Sequence, residues 1–385
     1  MRRRTSSSGW PSCSARNTSD PMAERIVVGM SGGVDSSVAA ALLVRQGCDV
    51  VGVTMRVWPW QEEAEPTRRF GNCCGTEAVE DARQVARALG IPYYLLNLEA
   101  EFNQKVIGRF VAEYSNGRTP VPCVSCNSNL KFGSLLGRAR AWDAVAVATG
   151  HYARVERDRA TGRYLLLRAK DTRKDQTDFL WPLTQEQLGA ARFPVGELTK
   201  DEVREQARRL GLVTADKPES QDLCFVPDDD YRGFLRRRAP EMFRPGAIVD
   251  GRGTTLGAHG GLPAFTVGQK RGLGLATGRP LYVVDLDPER NTVSVGEAAD
   301  LERGRLVATA VNFIACEPPR SPLRVEAKIR HSHRPAAASV RALEGDRAEV
   351  IFDAPQRAVS PGQSVVFYSG DVVVGGGVIA RTAPD

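Results

Sequence analysis

The run Ile26-Val27-Val28-Gly29-Met30-Ser31-Gly32-Gly33-Val34-Asp35-Ser36-Ser37 limits what this chain can fold into more than any other stretch. Its β-branched start reads as a buried strand, its serine–glycine centre as a loop, and Val38 to Gln46 as a helix stopped by Gly47. That order sets uncapped N–H groups and the positive end of a helix dipole at a strand's carboxyl end, where phosphate is favoured. Gly32 and Gly33 permit positive φ and close approach of a ligand to the backbone. Ser31, Ser36 and Ser37 add hydroxyl donors, and Asp35 is the expected magnesium ligand beside the phosphates. The alternative is a plain helix cap whose glycines serve only a turn.

The alternation continues. Asp49 to Val57 reads as a second strand, and Glu77 to Leu89 as a helix with Val79, Ala82, Ala86 and Leu89 on one face and Gly90 as its stop. Tyr93 to Leu98 is a third strand, Glu101 to Tyr114 an amphipathic helix, and Ala144 to Ala148 another strand. Strands and helices in alternation predict a parallel sheet covered on both faces, with ligands at the carboxyl ends of its strands. The loop Ser31–Ser37 and the run Thr149-Gly150-His151-Tyr152 fall at that edge. Between Gly117 and Asn127, Pro120 and Pro122 argue against helix, so the expectation is a loop displaying Cys123 and Cys126 just before a helix starting near Ser128. A helix dipole stabilises thiolate, which makes Cys126 the candidate nucleophile. Thr199 and Glu202 fit a capping box, with Gly211 ending that element. Glu219 to Phe225 is a polar loop carrying Cys224. From 226 to about 292 the chain is rich in glycine and basic residues. From 293 only strand signals remain, at Leu323–Arg330, Ala348–Phe352, Ser364–Tyr368 and Val372–Ile379, predicting a small antiparallel barrel.

Composition narrows the setting. No apolar run approaches the ~18 residues of a spanning helix, which argues against a membrane role. Of the net charge of +6, residues 1–22 supply half through four arginines against one aspartate, so any RNA-binding surface must come from local clustering. That segment is expected to be a disordered extension, with Met22 as the initiator, in preference to a transit peptide. Eight unevenly spaced cysteines do not make a secreted disulfide framework; they fit a reducing cytoplasm with working thiols.

The loop Ser-Gly-Gly-Val-Asp-Ser-Ser lacks the lysine of a Walker loop and resembles the pyrophosphate loop of the ATP pyrophosphatases. Further motifs follow in order: Pro-Cys-Val-Ser-Cys-Asn from 122, Thr-Gly-His-Tyr from 149, Lys-Asp-Gln from 174, Ser-Gln-Asp-Leu-Cys-Phe from 220 and Phe-Thr-Val-Gly-Gln-Lys-Arg-Gly-Leu-Gly from 265. With them the chain closely resembles the bacterial tRNA-specific 2-thiouridylases from about Arg25 to Ile379. The resemblance implies an α/β fold: an adenine-nucleotide hydrolase-like parallel sheet domain at 23–225, a small central domain at 226–292 and a C-terminal antiparallel β-barrel at 293–385. It implies an ATP site on Gly29, Met30, Ser31, Gly32, Gly33, Val34, Asp35, Ser36, Met55 and Gly150. The nucleophile would be Cys126 and the persulfide carrier Cys224. Contacts to tRNA would fall on His151, Lys174, Asp175, Gln176, Arg330, His331 and Gln363. The implied reaction takes ATP and Mg2+, adenylates the 2-oxo oxygen of the wobble uridine and delivers sulfur from a persulfide. The partners would be tRNA and a persulfide donor or carrier protein.

One departure opens alternatives. Many members carry aspartate where this chain has Cys123, so Cys123, Cys126 and Cys224 are candidates for an iron–sulfur cluster. Cys73, Cys74, Cys123 and Cys126 are weaker candidates for zinc, because an adjacent pair is not the usual ligand spacing. The persulfide relay is preferred. Cys13, Cys48 and Cys316 read as incidental. Taken alone, His151 would be a hydrogen-bonded structural histidine, Lys174-Asp175-Gln176 a solvated turn, and Arg330-His331-Ser332-His333-Arg334 a charged strand end. With Lys270 and Arg271 that strand end could make a phosphate-contacting surface. Trp58 and Trp60 read as packing residues. Rival activities are another ATP pyrophosphatase that amidates a carboxylate or forms lysidine, which leaves the cysteines without a task, and a non-catalytic RNA-binding protein, which leaves the loop without one.

Overall fold

A computed structural model describes residues 23–58, 75–219, 223–226 and 229–380. Cys13, Trp60, Cys73, Cys74 and the Ser220-Gln221-Asp222 run lie outside the described residues, as does the segment 1–22. The first seven strands are β1 (Arg25–Gly29), β2 (Asp49–Arg56), β3 (Tyr93–Asn97), β4 (Ala146–Ala148), β5 (Ala153–Arg157), β6 (Tyr164–Arg168) and β7 (Ala191–Arg192). Five of them form an all-parallel sheet in the order β3-β2-β1-β4-β7. The central strands β1, β2 and β4 are buried through their middles because both faces are covered. Ile26, Val28, Val50, Ala146 and Ala148 pack with Val38 and Ala39 of the Val34–Arg45 helix and Ala82 and Val85 of the Thr76–Leu89 helix. Val27, Val51, Val53 and Val147 pack with Phe132, Leu135 and Leu136 on the other side. Gly90, left-handed at φ 67°, ends the Thr76–Leu89 helix.

Two helices differ from expectation. The one expected over Glu101 to Tyr114 runs through three joined segments, Glu99–Phe102, a π-helical Asn103–Ile107 and Gly108–Ser115. The helix expected near Ser128 starts at Pro122 and continues as Pro122–Ser125, a π-helical Cys126–Leu135 and Leu136–Arg140. Proline breaks a helix interior, but at the first helical position, where Pro122 stands, its missing N–H costs nothing and its fixed φ suits the turn. Cys123 and Cys126 therefore belong to the helix, not to a loop before it.

Next come β8 (Gly246–Val249), β9 (Thr255–His259), β10 (Tyr282–Asp287) and β11 (Thr292–Gly296), a separate sheet in the order β10-β11-β8-β9. The last strands are β12 (Glu302–Phe313), β13 (Leu323–Lys328), β14 (Ala336–Ala342), β15 (Ala348–Arg357), β16 (Ser364–Ser369) and β17 (Val372–Ile379). They run antiparallel in the order β12-β15-β14-β13-β16-β17, and β12 pairs with β17 to close a six-stranded barrel. The hairpin β5–β6 leaves the first unit's sheet and attaches to β17, where Val372 pairs with Leu167. One core crosses that junction, with Leu166, Leu180, Trp181 and Leu183 buried against Val366, Tyr368 and Val373. Asn312 Nδ2 donates to the carbonyls of Trp181 and Leu183 at 2.8 and 3.0 Å, and Trp181 Nε1 to Ser364 Oγ at 3.0 Å.

Candidate active site

In the parallel sheet, β1 has β2 on one flank and β4 on the other, so the connection reverses direction between β1 and β4. Ligands of such sheets sit beyond the carboxyl ends of the strands at that reversal. The loop 30–37 leaves β1 there and Thr149-Gly150-His151 leaves β4. The loop is held from below, since Met30 N–H donates to the Val53 carbonyl at 2.8 Å and Thr54 Oγ1 to the Met30 carbonyl at 2.7 Å. Ser31 N–H donates to Ser36 Oγ at 3.1 Å, and Ser37 Oγ to the Gly33 carbonyl at 2.8 Å. The helix N-cap is Gly33, which has no side chain to occupy the first N–H groups. Gly32 is required twice: its φ is +67°, and a Cβ there would lie 2.2 Å from the Ala78 carbonyl oxygen. At Gly150 a Cβ would meet Ser36 N at 2.5 Å, so β4 can close on the helix start only through glycine. Met30 is buried, and Met55, at the end of β2, packs half-buried between two core clusters.

Asp35 is already engaged. Its Oδ1 accepts from Tyr152 Oη at 2.8 Å and from Lys200 Nζ at 2.8 Å, and Oδ2 accepts from Lys200 at 2.9 Å. Lys200 also bridges to Glu219 at 3.0 Å, whose other oxygen takes Lys174 at 2.7 Å. Burial pushes Glu219 up, but its hydrogen bonds to Lys174 and Lys200 outweigh that and hold it below the usual carboxylate range. Burial, then Asp35, raises the Tyr152 phenol well above its ordinary value, so it acts as a neutral donor. Sequence reasoning missed Tyr152 and Lys200. The signal was present for Lys200: it is the first residue of its helix, directly after the cap Thr199, where a cation opposes the dipole.

Cys123 is exposed, and Cys126, Cys224 and Cys316 are half-buried. Cys126 and Cys224 pack half-buried against one apolar cluster containing Val57, Leu98, Phe102, Phe110 and Phe225. Val57 and Leu98 follow β2 and β3, which sets the cluster beyond the sheet's carboxyl edge. Among the described residues no group of three or more His, Cys, Asp or Glu is gathered as a metal site, so Cys123, Cys126 and Cys224 do not form one. Cys48, expected to be incidental, is disulfide-bonded.

The candidate tRNA residues divide between two places. His151 Nε2 accepts from Lys131 Nζ at 3.3 Å, which leaves Nδ1–H to donate to Thr149 Oγ1 at 2.7 Å; burial, then Lys131, holds the ring well below the usual histidine range and neutral. Gln176 Oε1 accepts from Tyr152 N–H at 3.0 Å. Asp175 is buried, accepting from Ala169 N–H at 3.1 Å and Thr177 Oγ1 at 2.7 Å, and burial raises its carboxyl. The turn 174–176 is thus built into the fold, not solvated. Arg330, His331 and Gln363 instead meet Pro122 and Leu223 around a cavity of about 240 Å³. His331 stacks on Phe179 at 4.8 Å and bonds Asp178 at 2.9 Å. Gln363 Nε2 donates to the Thr119 carbonyl at 2.9 Å, gripping the segment that leads to Cys126.

Three family models match in succession: the tRNA methyl transferase HUP domain over 24–228, the tRNA methyl transferase PRC-barrel domain over 232–297 and the aminomethyltransferase beta-barrel domain over 303–379. The tRNA-specific 2-thiouridylase MnmA of Symbiobacterium thermophilum is 52% identical over 94% of this chain and 93% of its own. The protein of that name in Clostridioides difficile is 46% identical over 94% and 99%. A solved NMN synthetase from Francisella tularensis overlaps 51% of this chain and 67% of its own at TM-score 0.31 and 19% identity, too slight a likeness to bear on function. With half its sequence shared along nearly its whole length, the chain belongs to the tRNA-specific 2-thiouridylase family.

Proposed function

We propose that this family member is a tRNA-uridine 2-sulfurtransferase that adenylates the wobble uridine with ATP and sulfurates it from a cysteine persulfide. The observation that carries the reading is the pairing of a phosphate loop at the sheet's reversal with two cysteines, distant in sequence, on one cluster beyond the same edge. The family models are described by methyl transfer and the curated relatives by thiolation; the paired thiols support thiolation.

A uridine carbonyl oxygen is a poor leaving group. Its attack on the α-phosphorus, with departure of pyrophosphate, makes it part of AMP, and the N–H groups at the Gly33 cap hold the phosphates during that step. Asp35 fits a magnesium carried in by the triphosphate, an ion that takes most ligands from phosphate and water and would neutralise phosphate charge. The outer sulfur of a Cys224 persulfide attacks C2, and AMP leaves with the oxygen. Cys126 thiolate then attacks Cys224 Sγ, forming a disulfide and freeing the new sulfur on the base; an external thiol reduces the pair. An iron–sulfur cluster is not supported by the arrangement of Cys123, Cys126 and Cys224, and no step uses one.

Arg330 and His331 would receive the anticodon stem and loop at the cavity, whose wall Gln363 holds through Thr119, with Lys174 and His151 nearer the nucleotide. A persulfide donor is required, and the tRNA substrate implies a cytoplasmic setting; no helix among the described residues is long and apolar enough to cross a membrane. Exchange of labelled pyrophosphate into ATP with unmodified tRNA, followed by a thionucleoside assay with a persulfide donor, tests the reading. Both signals are expected. Exchange without thionucleoside would point to amidation or lysidine formation, and neither signal to a non-catalytic RNA binder.

A further inference from the structure

Lys200 is the one buried cation among the described residues, at 7% exposure. Its ammonium lies between two carboxylates, Asp35 of the phosphate loop and Glu219 of the segment leading to Cys224. A structural role accounts poorly for it. Buried ion pairs lose much of their attraction to desolvation, and an apolar pair would join helix to loop as well. Starting a helix with lysine also works against the helix. The surroundings give another reason. Asp35 sits one residue into the helix whose N-terminus is built for phosphate, and its charge would repel a polyphosphate unless a cation stood beside it. Lys200 is long, rotatable and a compact point charge, suited to trading one oxygen ligand for another.

We propose that Lys200 is a catalytic residue of the adenylation step, its ammonium moving from the carboxylates of Asp35 and Glu219 onto the leaving pyrophosphate. The inference rests on the adenylation reading above. In the step, uridine O2 forms a bond to the α-phosphorus, and the bond from that phosphorus to the bridging oxygen breaks with its electron pair on the oxygen. The N3 proton of the base passes to water. Lys200 neither gains nor loses a proton; it matches the negative charge that accumulates on the bridging oxygen.

The test compares the two products as inhibitors of the full-length enzyme with unmodified tRNA. Pyrophosphate and AMP inhibition constants are measured for wild type and Lys200→Met. Pyrophosphate is expected to weaken on the order of 10- to 100-fold, the range of one charge-assisted hydrogen bond, with AMP within about threefold and AMP release slowed at least as much. A role confined to holding the fold would move both products together, and that result overturns the inference, as does no change in either. Should Lys200→Met fail to fold, Lys200→Arg keeps the charge and the ion pairs but shifts the charge centre; a selective loss of pyrophosphate is expected there too, and an equal or absent effect overturns the inference. If wild type releases no AMP at all, the adenylation reading falls and takes this inference with it.

Discussion

Cys224 and Cys126 have different tasks in the proposed sequence, and single substitutions separate them. Cys224→Ser is expected to abolish thionucleoside formation while AMP release stays within a few-fold of wild type, because the thiol acts after activation. Equal loss of both steps would count against that order. His151 gives a pH prediction. The unfolded imidazole titrates near 6.5, whereas burial holds the folded one well below that value. The unfolded chain therefore binds a proton first, and the stability contributed by neutral His151 is complete above about pH 6.5 and lost as pH falls below it. Urea midpoints at about pH 7.5 and 5.5 should converge more for His151→Gln than for wild type; an identical drop in both would show that His151 is not the group responsible.

At the scale of elements, legibility followed from how local each signal is. The strand–loop–helix at 26–45, the stop at Gly90 and the capping box at Thr199 were readable because each depends on neighbours within four residues. The helix start at Pro122 was misread because proline forbids a helix interior yet favours its first turn, and sequence alone does not say which position it holds. Strands β12 and β14 escaped notice, the first being a long strand bent where its register shifts and the second alanine-rich. Lys200 shows in sequence only as a cation misplaced at a helix start, and its partners, 165 and 19 positions away, are not legible there. The capping box itself is testable. Thr199 accepts from Glu202 N–H at 3.3 Å while Glu202 accepts from Thr199 N–H at 2.7 Å, so Thr199→Ala should cost about 1 kcal/mol in urea unfolding. No measurable cost would mean that tertiary packing alone holds the helix start.

For the whole molecule, the junction between barrel and first unit carries functional weight. Gln363 was expected to touch tRNA, and its amide is also the clamp on Thr119. Gln363→Ala should slow thiolation several-fold, with tRNA affinity and ATP binding unchanged, as the helix bearing Cys126 loses one support worth about 1 kcal/mol. A weakened tRNA affinity at an unaltered rate would assign the side chain to RNA instead. The hairpin β5–β6 has the larger consequence. Its leucines complete an apolar interior whose other half arrives two hundred residues later, and its inner edge is docked on β17. Gene trimming that stops at the nucleotide unit would leave an open ribbon with greasy flanks, and such a fragment should precipitate or stack with copies of itself.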